Sequence, residues 1–252
     1  MKHGRHKMGS AKMGSAKKPD FACLFGDSIG RGVILDSVRG RYILLKNSFV
    51  NLLTKNSKIK VDNYAKFGCT IETGKKMVEK HRKDLPDYQF TVLEFGGNDC
   101  DFDWTAISEH PQGSYVPFTP LAKFKALYSE VIDCVFDSGS QPVMLSLPPL
   151  DAKRYFSWIS RNRNAENILH WLGDVEHIYR WHEMYNLAVV ELAAAKRIPL
   201  IDIRRAFLEA RNYPSLFCED GIHPNEAGHS LITNTITSFV AETLPTPAAF
   251  SV

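Results

Sequence analysis

Asp220 stands three residues before His223 in the run Asp220-Gly221-Ile222-His223-Pro224, a spacing at which a single turn can bring a carboxylate to an imidazole. Histidine is the usual general base because its side chain titrates near neutrality. A carboxylate beside it fixes the ring tautomer and stabilises the imidazolium. Such a pair needs a nucleophile, and a serine hydroxyl becomes one only when a base takes its proton. Gly26-Asp27-Ser28-Ile29-Gly30 offers that serine in a break between two glycines. Attack on an ester builds negative charge on the carbonyl oxygen, so donors must already surround it. Three are available: the backbone amide of Ser28, the backbone amide of Gly68 in Lys66-Phe67-Gly68-Cys69, and the carboxamide of Asn98 in Gly96-Gly97-Asn98-Asp99.

Regular structure has to carry these four segments to one place. Phe21 to Phe25 is a short continuous apolar run stopped by Gly26, the pattern of a buried strand. A second, mixed run spans Ile59 to Ala65 and ends near Gly68, and a third spans Phe90 to Phe95 before Gly96-Gly97. A fourth, Val143 to Leu147, is stopped by Pro148-Pro149, and Leu200 to Ile203 is a fifth. Between them Leu121, Phe124, Leu127, Tyr128, Val131, Ile132 and Val135 recur at the three-and-four spacing of an amphipathic helix. Residues 174–196 and 70–84 also read as helices, and a last one starts near 226 with Asn225 as its N-cap. Alternation of this kind, with apolar strands, implies an α/β fold whose parallel sheet is covered on both faces. Ligands bind beyond the carboxyl ends of such strands. The glycine breaks after the first three strands should therefore open onto one edge.

The four segments resemble the SGNH (GDSL-type) hydrolase superfamily, whose blocks carry in order a G-D-S serine, a glycine, a G-x-N-D asparagine and a D-x-x-H pair. All four occur here in that order between residues 26 and 224. The first block reads G-D-S-I-G, without the leucine of the family name. The resemblance implies a flavodoxin-like three-layer α/β/α sandwich on a five-stranded parallel sheet, with no metal and no cofactor. It implies Ser28 as nucleophile and first oxyanion donor, Gly68 and Asn98 as the other donors, and Asp220 and His223 as the rest of a triad. The implied reaction is hydrolysis of a small or short-chain acyl ester, carbohydrate O-acetyl esters included. A lysophospholipase or thioesterase with a longer acyl groove is the second enzyme reading. A binding protein on the same fold is the third, and an intact triad and donor set argue against it.

Plainer roles exist for the same residues. Ser28 and Asn98 can cap helices, Gly68 can be a turn glycine, and Asp27 and Asp99 are expected to stabilise turns. Gly26, Gly30 and Gly32 follow a strand without completing a phosphate loop. Asp99, Asp101 and Asp103 alternate like a calcium loop, but Trp104 and His110 stand where glycine and glutamate are required. His182-Glu183 opens a zinc-protease pattern that Asn186 breaks. Asp101, Asp103 and Trp104 follow Asn98 closely and are expected at the substrate rim, as polar contacts and an indole face for sugar hydroxyls, or else as a solvated loop. Basic and aromatic residues interleave over 150–172, the makings of a lid, an oligomer contact or a surface helix.

Composition sets the outer limits. A 252-residue chain with 44% apolar and 23% charged residues is ordinary for a globular protein, and one domain over 20–245 is expected. Residues 1–18 hold six basic residues and no acid, so the rest of the chain carries −3 against a total of +3. The body thus has no electrostatic reason to bind nucleic acid. Residues 1–19 repeat Lys-Met-Gly-Ser-Ala and read as a disordered, tag-like segment, and 246–252 as a tail. No run is long enough to predict a membrane span. Five cysteines without a C-x-x-C pair predict reduced thiols in a cytoplasmic protein acting on a small-molecule ester.

Overall fold

Strands β1 (Phe21–Gly26), β2 (Val33–Asp36), β3 (Arg41–Leu44), β4 (Lys60–Asn63), β5 (Phe90–Glu94), β6 (Gln141–Leu145) and β7 (Leu200–Ile201) alternate with helices. The helices are α1 (Ser28–Arg31), α2 (Phe49–Asn56), α3 (Ile71–Lys80), α4 (Trp104–Glu109), α5 (Leu121–Asp137), α6 (Ala152–Ile159), α7 (Ala165–Leu172), α8 (His177–Lys196), α9 (Ile203–Glu209) and α10 (Glu226–Thr243). This computed structural model describes residues 21–56 and 60–243. The segment 1–19, the tail 246–252 and Ile59, the expected start of the second strand, lie outside the described residues.

Five strands pair in parallel in the order β4-β1-β5-β6-β7. The five expected strands are all present, displaced at their ends by up to two residues. Two apolar layers explain why the sheet is buried on both faces. On one, Phe25, Leu93 and Met144 pack with Ile71 and Val78 of α3, Phe124, Tyr128 and Val131 of α5, and Tyr185 and Val189 of α8. On the other, Leu24, Val143, Leu145 and Ile201 meet Phe49 and Leu53 of α2, Phe207 of α9, and Ile232 and Ile236 of α10. Side chains of this size contribute about 1.5–3 kcal/mol each when fully buried, so these layers supply the main drive to fold. Charge in the fully buried stripe Phe124, Tyr128, Val131, Ile132 and Val135 of α5 would break the first layer.

A third cluster joins Phe102 and Trp104 to Leu150, Tyr155, Ile159, Ile168 and Ile178. It ties α4, α6 and α7 together at residues that follow β5 and β6. Residues 150–172 therefore form two helices, each with buried positions, in place of one surface helix. The sequence pattern did not announce the antiparallel hairpin of β2 and β3. Its four-residue strands are too short to display a period. Asn225 caps the last helix as expected, its Oδ1 accepting from the amides of Ala227 and Gly228. Among the described residues no helix is long and apolar enough to cross a membrane.

In this strand order the chain leaves β1 for the β4 edge and returns on the far side at β5. The carboxyl ends of β1 and β5 thus flank the reversal point, where a crevice opens in α/β sheets. Ser28 follows the first of these strands and Asn98 the second.

Candidate active site

The β1–α1 turn is tight because β1 and β5 run close together. A Cβ at Gly26 would stand 2.6 Å from a carboxylate oxygen of Glu94, so only glycine fits. Asp27 caps α1 by accepting from the Ile29 amide at 2.9 Å, which makes Ser28 the first residue of that helix. On the opposite side, the Cys218 amide donates to the His223 carbonyl at 2.8 Å and closes a loop around Asp220 and His223. Asp220 Oδ1 accepts from the amides of Ile222 and His223, so the carboxylate is fixed before it meets the ring.

The three side chains form a relay across 195 residues of sequence. His223 Nε2 lies 2.9 Å from Ser28 Oγ, and His223 Nδ1 lies 2.7 Å from Asp220 Oδ2. All three are buried. Burial alone would raise the Asp220 pKa, but the hydrogen bond and charge of His223 outweigh it and hold the carboxyl below its ordinary value. An ionised Asp220 can only accept, so Nδ1 carries the proton and donates. Nε2 is left as the acceptor for the Ser28 hydroxyl proton. This arrangement can deprotonate a serine.

Gly68 has φ +71°, a left-handed turn conformation that favours glycine. Asn98 Nδ2 donates to Asp27 Oδ2 at 2.9 Å, with the Cys69 carbonyl 3.4 Å away. Asp99 keeps the structural role expected of it. Its carboxylate accepts from the Ile71 amide at the start of α3, and burial pushes its pKa up to about 6. Asp27 does more than stabilise a turn, because it joins the serine segment to the asparagine segment. Behind it lies Glu94, a buried acid that the sequence pattern had hidden inside an apolar strand. Glu94 Oε2 accepts from the amides of Asp27 and Gly30 at 3.1 and 3.2 Å. Burial, reinforced by the charge of Asp27, pushes its pKa well above the ordinary glutamate value.

Ser28, Asn98 and His223 line two adjoining spaces. The inner, more enclosed one measures about 80 Å³ and reaches Leu147, Pro148, Leu150, Ile178, Trp181 and His182. The outer one, about 250 Å³, is walled by Tyr42, Phe67, Trp158, Ile159 and Arg163. Trp104 and Asp101 line both. Asp101 Oδ1 is already engaged, accepting from Trp104 Nε1 at 2.7 Å and Tyr155 Oη at 2.8 Å. Asp103 lines neither space. It is exposed and caps α4 through the amides of Thr105 and Ala106, so the expectation of Asp103 at the rim gives way to a helix cap. Gly68 also lies outside both linings, though Phe67 beside it belongs to the outer one.

The missed hairpin contributes directly. Tyr42 on β3 sets its ring 5.0 Å from that of His223, and Phe67 stacks on the same imidazole at 6.2 Å. Helix α6 supplies Tyr155 and Trp158, and Arg161 stands 4.1 Å over the Trp158 ring. Cys69 and Cys100 are buried, and burial raises the Cys69 thiol to about 12, in keeping with packing roles.

Comparison with known proteins gives concordant results. The fold is similar to a lipase/acylhydrolase from Enterococcus faecalis, with TM-score 0.62 and 19% identity over 88% of this chain and 95% of that one. It is also similar to the acetyl xylan esterase AlAXEase, with TM-score 0.58 and 20% identity over 87% of this chain and 99% of that one. A catalytic mutant of Axe2, an acetylxylan esterase from Geobacillus stearothermophilus, aligns with TM-score 0.62 and 14% identity over 90% and 96% of the two chains. A search of curated proteins finds no match. The model of the GDSL-like lipase/acylhydrolase family matches residues 24–231, a span that takes in the serine, asparagine and histidine segments together. With the parallel sheet built as described and the match running across nearly all of it, the chain belongs to the GDSL-like lipase/acylhydrolase family.

Proposed function

We propose that this hydrolase cleaves esters of small acyl groups through an acyl-enzyme on Ser28. His223 Nε2 takes the hydroxyl proton as Oγ bonds to the ester carbonyl carbon, and Asp220 stabilises the resulting imidazolium. The amides of Ser28 and Gly68 and the carboxamide of Asn98 receive the charge that develops on the carbonyl oxygen. The imidazolium then returns its proton to the departing alkoxide. Water repeats the sequence on the acyl-enzyme, which releases the acid and restores Ser28. The observation that carries this reading is the 2.9 and 2.7 Å relay opening onto a cavity.

Cavity size supports a small acyl group. The alcohol must leave, and water must enter, before the acyl-enzyme can turn over. The open outer space suits that traffic, and the enclosed inner space of about 80 Å³ suits an acyl limb of a few carbons. Aromatic walls from Tyr42, Phe67 and Trp158 with Arg163 beside them suit a sugar ring as the alcohol, which favours carbohydrate O-acetyl esters. Acetyl xylan esterases among the proteins of similar fold agree with this choice. The test is a rate profile over acyl chain length, run alongside acetylated xylo-oligosaccharides. Rates should peak at two to four carbons, and a peak at eight or more would overturn the small-acyl reading. A fluorophosphonate should label Ser28, and labelling of another serine would overturn the nucleophile.

A further inference from the structure

His182, on α8, lines the inner cavity with Ser28 and His223 yet has no part in the relay. It is 7% exposed, and its Nδ1 lies 3.4 Å from Arg204 Nη1. A guanidinium has no acceptor to offer, so Nδ1 must be the accepting nitrogen. The proton of the neutral ring then sits on Nε2. Arg204 is itself held in place, 3% exposed, donating to the carbonyls of Leu147 and Pro148 and paired with Glu183. Burial, and next the charge of Arg204, push the His182 pKa down to about 3, so the ring stays neutral at any working pH. Nε2–H has no partner among the described residues. Trp181 lines the same cavity, and its indole N–H is buried without a partner.

His182 thus offers a free donor on the side of the cavity that Leu147, Pro148, Leu150 and Ile178 wall with apolar atoms, where a bound ligand would shield it from water. Phenylalanine would close the same wall without presenting a donor. We infer that the inner cavity is a subsite for an oxygen acceptor carried by the acyl group, with His182 Nε2–H as the donor that reads it. This rests on the reading that Ser28 is acylated and that the acyl limb enters the inner cavity. The substrate class it names is esters of oxygenated short acids, hydroxy-, alkoxy- or oxoacyl, in preference to plain alkanoyl esters of the same length. Glu183 and Arg204 are positioning residues for this donor, and His182 determines specificity.

Two measurements test it. Ring nitrogen shifts of ¹⁵N-histidine-labelled protein should report His182 as the neutral Nε2–H tautomer at pH 7, and an Nδ1–H tautomer or an imidazolium would overturn the inference. The second compares phenyl methoxyacetate with phenyl butyrate, in which a methylene replaces the ether oxygen. Intrinsic reactivity cancels when the ratio of their kcat/KM values is compared between proteins. That ratio should fall about tenfold in His182→Phe, the worth of one neutral hydrogen bond. It should recover in His182→Gln, whose amide can accept from Arg204 and donate at the Nε2 position. An unchanged ratio in both folded variants overturns the subsite alone. A wild type that turns over neither ester overturns the hydrolase reading, and with it the acyl assignment of the cavity.

Discussion

Asn98 Nδ2 donates to Asp27 Oδ2 at 2.9 Å, so the residue that precedes the proposed nucleophile also aims the proposed side-chain oxyanion donor. The other oxygen of Asp27 accepts from the Ile29 amide and caps the helix that begins at Ser28. One buried carboxylate therefore couples two parts of the site that come from different strands.

Asp27→Asn tests that coupling. The carboxylate serves two donors with two acceptors, and an asparagine has one acceptor to share between them. Losing one such bond to a charged group costs about 1.5–3 kcal/mol, so kcat should fall roughly 10- to 100-fold with little change in KM. The same substitution in an Asn98→Ala background should add much less, because the partner is already gone. Steady-state kinetics on an aryl ester decides it, and fully additive losses would mean Asp27 does not act through Asn98.

Glu94 should be a neutral acid whose replacement by glutamine is mild. Burial and the charge of Asp27 raise its folded pKa well above the unfolded value. The unfolded chain then loses this proton first as pH rises, so the wild type is progressively destabilised between the unfolded pKa, about 4.3, and the folded one. Glutamine keeps an acceptor for the Asp27 and Gly30 amides and has no proton to lose. The melting temperature of Glu94→Gln relative to wild type should rise as pH increases above the unfolded pKa of about 4.3. A difference independent of pH would refute the neutral carboxyl.

Acid stability should be limited in part by His229. The residue is fully buried, its Nδ1 accepts from the Phe49 amide at 3.3 Å, and burial followed by the charge of His223 lowers its pKa to about 4. Between that value and the unfolded pKa of about 6.5, only the unfolded chain takes up the proton, so stability falls on acidification. His182 pulls the same way, while Asp99, raised to about 6, pulls the opposite way and favours the folded state in acid. His229→Asn isolates one group by keeping an acceptor near the Nδ1 position. Its unfolding free energy should fall less steeply between pH 6.5 and 4, by up to roughly 1.4 kcal/mol per pH unit. Parallel wild-type and variant curves would exclude His229.

Much of this was legible in the residues themselves. Strands β1, β5 and β6 are apolar runs with glycine or proline stops, and the long helices α5, α8 and α10 show their buried stripes through the three-and-four spacing. What stayed hidden came from short elements and from residues whose meaning is set by their neighbours. The hairpin that delivers Tyr42 and the six- to eight-residue helices α4, α6 and α7 are too short to show a period. Glu94 was concealed inside the apolar run Phe90 to Phe95, although a lone charge between Leu93 and Phe95 was a signal of a buried acid. His182 stood out only as half of a failed metal motif, because Arg204, which fixes its tautomer, lies 22 residues away.

Asn98 itself provides the sharpest test, because a side-chain donor separates this site from one built on backbone amides alone. Its Nδ2 has two hydrogens, and the bond to Asp27 holds one at 2.9 Å. The other, held only by the long 3.4 Å contact to the Cys69 carbonyl, is the one to turn toward the substrate oxygen. A hydrogen bond to an oxygen gains strength as charge develops there, so its loss should be felt mainly in the transition state. Asn98→Ala should lower kcat about 10²- to 10³-fold, or roughly 3–4 kcal/mol, with little change in KM. Asn98→Asp should be at least as damaging, since a carboxylate would repel both the oxyanion and Asp27. Both variants should melt near wild type, as the residue is only partly buried and its contacts lie within the site. If Asn98→Ala instead unfolds the protein while the folded fraction keeps its kcat, Asn98 holds the loop together and the oxyanion is met by other donors.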